Sequence, residues 1–326
     1  MIEVLAAGPL MTVQDLGRPG ARRYGVSPGG ALDAFALAAA NRLVGNPPAA
    51  AGLEITAGGA ALRLRRPAII ALAGGDLGAS LDGRPIPLWA AILADAGATL
   101  RLSGRRAAGG ARAYLAVAGG VDVPVVLGAR ATDLAGGFGG VAGRPLRAGD
   151  LLPVGAARAG LVPAIGQRWP DAARPAYAAE PTLRFIPGPH LACFAPDALE
   201  SLVAAHLRVS ATSNRMGYRL EGLRLSYARP CSLSSLGVVS GAIQVPPDGV
   251  PILLMADAQT TGGYPLVGVL ISADLPLAAQ LLPGDGLRLV PTALDVAQAA
   301  LRAQADALAD GPESNEGDLL AALAGA

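Results

Sequence analysis

Glycine and proline interrupt this chain at short, regular intervals from end to end, rather than clustering in one linker. That spacing implies many short strands joined by tight turns, since each glycine or proline ends or bends the element before it. Runs at Met1–Ala6, Leu53–Thr56, Ala61–Arg65, Ala68–Ala73, Ala98–Leu102, Arg112–Val117, Thr182–Ile186 and Leu287–Val290 read as strands. Helices are expected at Asp33–Leu43, around Pro196–Ala205 and from Thr292 to about Asp310. The first has the clearest boundaries: Asp33 supplies a cap, alanines fill the body, and Gly45-Asn46-Pro47 stops it. With 326 residues, 52 % of them hydrophobic, there is material for a large core and for two domains. The Ala/Pro-rich stretch 155–180 is the expected boundary, giving domains at 1–175 and 176–326, the second closing with the C-terminal helix. The Gly/Pro/Glu-containing tail after it is expected to fray or to pack on a neighbour.

Several function classes fall away on residue types. The net charge is +1, which offers no attraction for nucleic acid or an anionic membrane surface. All basic residues are arginine and there is no lysine, so neither a Schiff-base lysine nor a P-loop lysine exists. Cys193 and Cys231 are far apart, too few for a disulfide framework or a cysteine zinc site. His190 and His206 alone build no metal centre, and no metal site is expected. His190 reads as a loop histidine and His206 as a structural one at a helix C-terminus. The N-terminus lacks the basic and apolar regions of a signal peptide, and no apolar run approaches the roughly 20 residues of a membrane span. The expectation is a soluble, cytoplasmic protein.

The stretch Gly241–Pro265 carries the densest chemistry. Pro246-Pro247-Asp248-Gly249 is a turn, and Pro251–Ala256 reads as a buried strand. If that strand runs on through Asp257, then Met255, Asp257 and Gln259 share one face, because side chains alternate with period two. A carboxylate and an amide at a strand end, followed by Thr260, Thr261 and Gly262-Gly263, compose a candidate site. The alternative is an Asx-type turn in which Asp257 and Thr260 cap loop amides. Gly137, Gly139 and Ala142 formally match a dinucleotide fingerprint. That fingerprint must open a helix, whereas Gly143-Arg144-Pro145 follows, so the segment reads as a loop closing a barrel.

Eight segments together resemble one family: TVQDLGRPG (12–20), GALD (30–33), LEIT (53–56), YLAVAGGVDVPVVLGARAT (114–132), GGFGGVAGR (136–144), SNRMGYRLEG (213–222), GAIQVPPDG (241–249) and ADAQTTGGYP (256–265). The chain is similar over about residues 2–290 to the biotin-dependent carboxyltransferase-like family, which includes subunits of 5-oxoprolinase, an antagonist of a kinase inhibitor, and proteins labelled allophanate hydrolase subunit 2. The resemblance implies a mainly β fold of two linked cyclophilin-like β-barrel domains. It implies a C subunit that acts with partner subunits A and B to open 5-oxo-L-proline to L-glutamate at the expense of ATP, inactive alone. Two alternatives come with it: a carboxyltransferase component served by a separate biotin carrier, and a non-catalytic binder of a kinase-inhibitor partner. Two departures from the family pattern stand out: Leu266 replaces a frequent basic residue, and GVSPGGALD replaces the usual form around Ser27–Asp33.

Lactam opening driven by ATP needs a cation for the transferring phosphoryl group, a base, and donors for the developing oxyanion. Candidates are Asp257 as base, Arg215 for the phosphoryl group and Gln259 as a donor, with Gln244, Thr260, Thr261, Tyr264 and Arg219 binding the small-molecule substrate. For Arg215 and Arg219 a buried salt bridge, for example to Glu221, is the structural alternative. Without a P-loop, ATP is held by another device or by a partner subunit, and any biotin must arrive on another protein.

Overall fold

The computed structural model describes residues 1–106, 110–157, 164–229, 231 and 233–314. The elements of the N-terminal part are β1 (Ile2–Ala7), β2 (Leu10–Gln14), α1 (Ala34–Leu43), β3 (Gly52–Thr56), β4 (Ala60–Leu64), β5 (Ala68–Gly74), β6 (Ala79–Leu81), β7 (Arg84–Pro85), β8 (Ala90–Ala94), β9 (Thr99–Leu102), β10 (Arg112–Val117), β11 (Leu151–Leu152) and β12 (Gln167–Arg168). There follow β13 (Thr182–Pro187), α2 (Ala198–Ala204), β14 (Leu207–Val209), β15 (Gly217–Glu221), β16 (Leu236–Gly237), β17 (Ala242–Gln244), β18 (Ile252–Leu254), β19 (Thr261–Gly262), β20 (Leu266–Leu270), α3 (Leu275–Ala278), β21 (Gly286–Pro291), α4 (Leu294–Asp310) and β22 (Glu313–Ser314). The architecture is mainly β. Contacts divide the described residues into two units: those in 1–17, 33–176 and 305–314 form the first, and those in 18–32 with 177–304 form the second. A contiguous division at 175/176 contains neither of these exchanges.

In the first unit a seven-stranded sheet (β2-β3-β10-β5-β8-β12-β22) and a six-stranded sheet (β11-β1-β4-β9-β6-β7) share one core. Alternation supplies it: Leu53 and Ile55 of β3 enter the core with Leu72 and Leu115 of the same sheet and with Ile2, Val4, Leu62 and Leu100 of the other. Helix α1 packs on β5 and β10. Its start is fixed locally, because the Asp33 carboxylate accepts the Ala36 N–H at 2.9 Å. Residues 136–144 form turns and isolated bridges with no helix, in keeping with a loop. Gly143 has φ +66°, and a Cβ there would lie 1.9 Å from the Gly137 carbonyl carbon. The tail beyond Ser314 lies outside the described residues; Glu313 and Ser314 pair with β12.

That glycine loop is tied to the residue preceding β11 by a fork between Arg144 and Asp150, with Nη1–Oδ2 and Nη2–Oδ1 distances of 2.8 Å. Hydrogen bonding from Arg144 holds the Asp150 carboxyl below its ordinary value, with the Arg147 amide adding to it. A carboxyl lowered on folding stabilises the protein above its unfolded pKa, about 3.9, and loses that contribution as pH falls through the folded value. Asp150→Asn is therefore expected to lower the melting temperature near neutrality and to flatten its acid limb below about pH 4. Melting curves across pH check this; an acid limb identical to wild type would refute it.

The second unit is a closed barrel in the order β13-β20-β17-β18-β15-β14-β21, sealed by parallel pairing of β13 with β21. Leu183, Phe185, Leu220, Ile243, Leu253, Val267 and Leu289 fill it. Outside the barrel wall, Ala242, Leu254 and Leu266 cluster with Val238 and Ala258, which flank the two-stranded antiparallel ribbon of β16 and β19. Cys193 and Cys231, which the sequence presents as two remote thiols, form a disulfide with a Cα–Cα distance of 5.7 Å. One bridge is not a framework, yet the pairing is a tertiary fact that a separation of 38 residues conceals.

Candidate functional site

The site is built on a two-residue turn. Asn214 and Gly217 exchange backbone hydrogen bonds at 3.2 Å, and the Asn214 side chain accepts the Met216 N–H at 2.8 Å. Between them Met216 faces out, 40 % exposed, and Arg215 turns in, 4 % exposed. Arg215 meets Asp257: its Nε donates to Oδ2 at 2.8 Å and its Nη2 to Oδ1 at 3.0 Å. Both side chains are buried, so the pair is the strong, forked kind rather than a surface contact. The Asp257 N–H donates to the Arg215 carbonyl at 3.0 Å, locking the two segments by backbone as well.

This geometry corrects the expected strand. β18 ends at Leu254, and the Ala258 N–H turns back to the Met255 carbonyl at 3.1 Å. Met255 enters the barrel core, Asp257 takes Arg215, and Gln259 is exposed, so the three do not share a face. The ion pair itself replaces the Glu221 partner considered for Arg215.

Sequence reasoning missed the third wall, residues 18–32. Gly29 N–H and Ser27 Oγ both donate to the Ala256 carbonyl at 3.1 Å, and Arg215 Nη2 donates to the Gly30 carbonyl at 2.5 Å. Arg18 is buried at 2 % exposure, and its N–H closes the loop on the Pro28 carbonyl at 2.8 Å. Gly29 has φ +60°, and a Cβ there would lie 3.1 Å from Arg18 Nη1 and 3.8 Å from Asp257 Oδ1. The glycine pair at 29–30 was the available signal: both residues take positive φ, which glycine adopts without steric cost.

A second grouping joins Gln259 to Gln244. Gln259 Nε2 donates to Gln244 Oε1 at 3.2 Å, and Gln244 is only 2 % exposed on the outer face of β17. The other candidates stand apart. Arg219 pairs with Asp248 at the surface, and Asp248 is held below its ordinary pKa chiefly by the Val250 N–H and then by Arg219. Thr261 is exposed on β19 beside half-buried Thr260. Tyr264 is 46 % exposed and, with Tyr227, Pro247 and Pro265, lines a hollow of about 660 Å³. Burial raises the Tyr227 hydroxyl's pKa, with Asp248 and Tyr264 adding to it, and that hydroxyl donates to the Val245 carbonyl. His190 Nδ1 accepts the Leu266 N–H at 3.1 Å, and His206 meets Glu180 at 3.1 Å, so each has a structural contact.

Among the described residues no group of histidine, cysteine, aspartate or glutamate could hold a metal ion, and no helix is long and apolar enough to cross a membrane. What the arrangement offers is fixed charge and amide donors. Asp257 has both oxygens committed to a guanidinium, and the carboxamides of buried Gln244 and exposed Gln259 are joined by one hydrogen bond.

Comparison with known proteins gives four findings. A family model described as carboxyltransferase domain, subdomain A and B, matches residues 24–291. The chain is 40 % identical over 309 residues to the C subunit of 5-oxoprolinase from Escherichia coli (strain K12), covering 94 % of this chain and 95 % of that protein. It is 33 % identical to the C subunit of 5-oxoprolinase from Haemophilus influenzae, covering 91 % and 93 %. Among solved structures, Kluyveromyces lactis urea amidolyase superposes with a TM-score of 0.88 at 31 % identity over 97 % of this chain. This chain spans only 20 % of that larger protein.

Proposed function

Because this chain belongs to the carboxyltransferase domain family, subdomain A and B, we propose that it is the C subunit of an ATP-dependent 5-oxoprolinase. The observation that carries the reading is the near full-length similarity, at 40 % identity, to a protein named as the C subunit of 5-oxoprolinase. The reaction opens 5-oxo-L-proline to L-glutamate together with subunits A and B. The terminal phosphoryl group of ATP passes to the lactam oxygen and ADP leaves. Water adds to the activated carbonyl carbon, the ring C–N bond breaks to give the amine and an acyl phosphate, and a second water cleaves that to the carboxylate and phosphate. With no lysine in the chain, the nucleotide is bound without a P-loop, and we assign it to a partner subunit.

Within this reading Asp257 holds Arg215 rather than abstracting a proton, since the guanidinium occupies both carboxylate oxygens. Arg215 in turn fixes residues 18–32 through the Gly30 carbonyl. Gln259, with Thr260, Thr261 and Tyr264 in the same stretch, faces the substrate, and Gln244 stands behind Gln259. Arg219 belongs to the surface pair with Asp248 and drops out of the substrate set.

A second reading, a carboxyltransferase component served by a biotin carrier, is favoured by the close superposition on urea amidolyase. Reconstitution separates the two. Co-expressed with subunits A and B, the chain is expected to elute in a stable complex burying at least about 2,000 Å², and that complex to release glutamate from 5-oxoproline and ATP alone. A rate that appears only after a biotinylated carrier is added would replace the first reading by the second. A monomer that ignores both subunits in size exclusion would remove the first altogether.

A further inference from the structure

Behind the exposed amide of Gln259 lies one that the fold leaves half satisfied. Gln244 Oε1 accepts from Gln259, but Gln244 Nε2 is buried with no acceptor among the described residues. Buried polar atoms are nearly always paired, and an unpaired one costs stability. The amide is also given room at a neighbour's expense. A Cβ at Gly262 would lie 2.5 Å from Gln244 Nε2, while the backbone of Gly262 lies outside the left-handed region and does not itself require glycine. Gln244 is flanked in the barrel wall by Ile252 and Leu266, neither of which offers a side-chain acceptor. The cover over this face is β16–β19, a ribbon of two residues per strand, which is marginal by itself.

We propose that Gln244 Nε2 is a substrate-binding donor that takes the carbonyl oxygen of a planar amide, with Gln259 Oε1 accepting the N–H of the same amide. A lactam presents its C=O and N–H side by side, and a pair of carboxamides matches them with one donor and one acceptor. Urea carries the same two groups, so the shared chemistry is the planar amide; the identification of 5-oxoproline rests on the function proposed above. The ligand enters at the Gln259 side, where the surface amide gives way to it.

Gln244→Leu and Gln244→Glu test this in the reconstituted complex and in the chain by calorimetry with 5-oxoproline and, separately, urea. Leucine removes the donor and fills the space with an apolar group. Glutamate keeps the acceptor for Gln259 and removes the donor. Both are expected to lower kcat/KM for 5-oxoproline about 10- to 100-fold, mainly through KM, while the melting temperature of Gln244→Leu stays level or rises. Gly262→Ala, which pushes the amide aside, is expected to raise KM in the same direction.

Unchanged kcat/KM in Gln244→Leu with a raised melting temperature would mean that Nε2 meets only water, and would overturn the proposal. Full activity in Gln244→Glu would mean that the open atom accepts rather than donates, and would also overturn it. Parallel loss of stability and activity in both variants would make the amide structural and overturn it. Urea binding, or carrier-dependent carboxylation of urea, that is lost in Gln244→Leu would uphold the donor even where the complex hydrolyses no 5-oxoproline, so the two readings fail separately. Binding of neither compound to the wild type, with an inactive complex, overturns both.

Discussion

Changing Asp257 to asparagine is expected to lower the stability of the chain by about 3–5 kcal/mol, because it strands the buried Arg215 guanidinium without a counter-charge. For a unit of this size that is a drop of about 10 °C in melting temperature. Arg215→Met should cost less than Asp257→Asn only if the carboxylate left behind takes up a proton. The double change Asp257→Leu/Arg215→Met should recover much of the loss, since a packed apolar pair can replace a buried ion pair. The effect should spread to residues 18–32, whose Gly30 carbonyl loses an ordered donor, so trypsin should cut faster after exposed Arg23. Thermal melts and limited proteolysis read both. A different result, normal melting with turnover lowered about 10²- to 10⁴-fold, would identify Asp257 as a general base and reject the scaffold role.

Reducing the Cys193–Cys231 bridge is expected to cost about 4 kcal/mol, the loop-closure entropy of a loop of this length in the chain-entropy description. The bridge ties residue 231 to the short 3₁₀ turn at Leu191–Cys193. Tyr227, four residues earlier, packs its ring 5.2 Å from Phe194. A melting curve with and without dithiothreitol measures the loss, and Cys193→Ser/Cys231→Ser should melt with the reduced protein and ignore the reagent. Equal melting of oxidised and reduced wild type would show that packing around Phe194 already closes the loop. In a reducing compartment the stability that matters is that of the dithiol form.

Local chemistry was legible in the sequence. The helix at Ala34–Leu43 was readable because its cap and its stop lie within a few residues of its ends. The segment 136–144 could be read as a loop because Gly143-Arg144-Pro145 cannot open a helix there. Short strands between regular glycines and prolines implied a mainly β chain, and the family was visible in eight short segments that local patterning alone would not join. Absence of lysine removed whole mechanisms on residue type alone.

Partnership was decided only by tertiary structure. Glu221 is near Arg215 in sequence and lies on the strand that follows it, yet the guanidinium takes a carboxylate 42 residues away, because the turn at Asn214–Gly217 aims it off the strand. Asp257 looked like a strand-end base; it became an ion-pair partner once β18 stopped at Leu254 and the chain turned. Residues 18–32 fall inside the domain expected at 1–175 but group with the second unit, where their carbonyls and glycines complete the wall around the pair. The cysteines and the two glutamines follow the same rule. Caps, turns and alternation are set by neighbours along the chain, whereas ion pairs, disulfides and buried amides are set by which remote strands the closing barrel brings side by side.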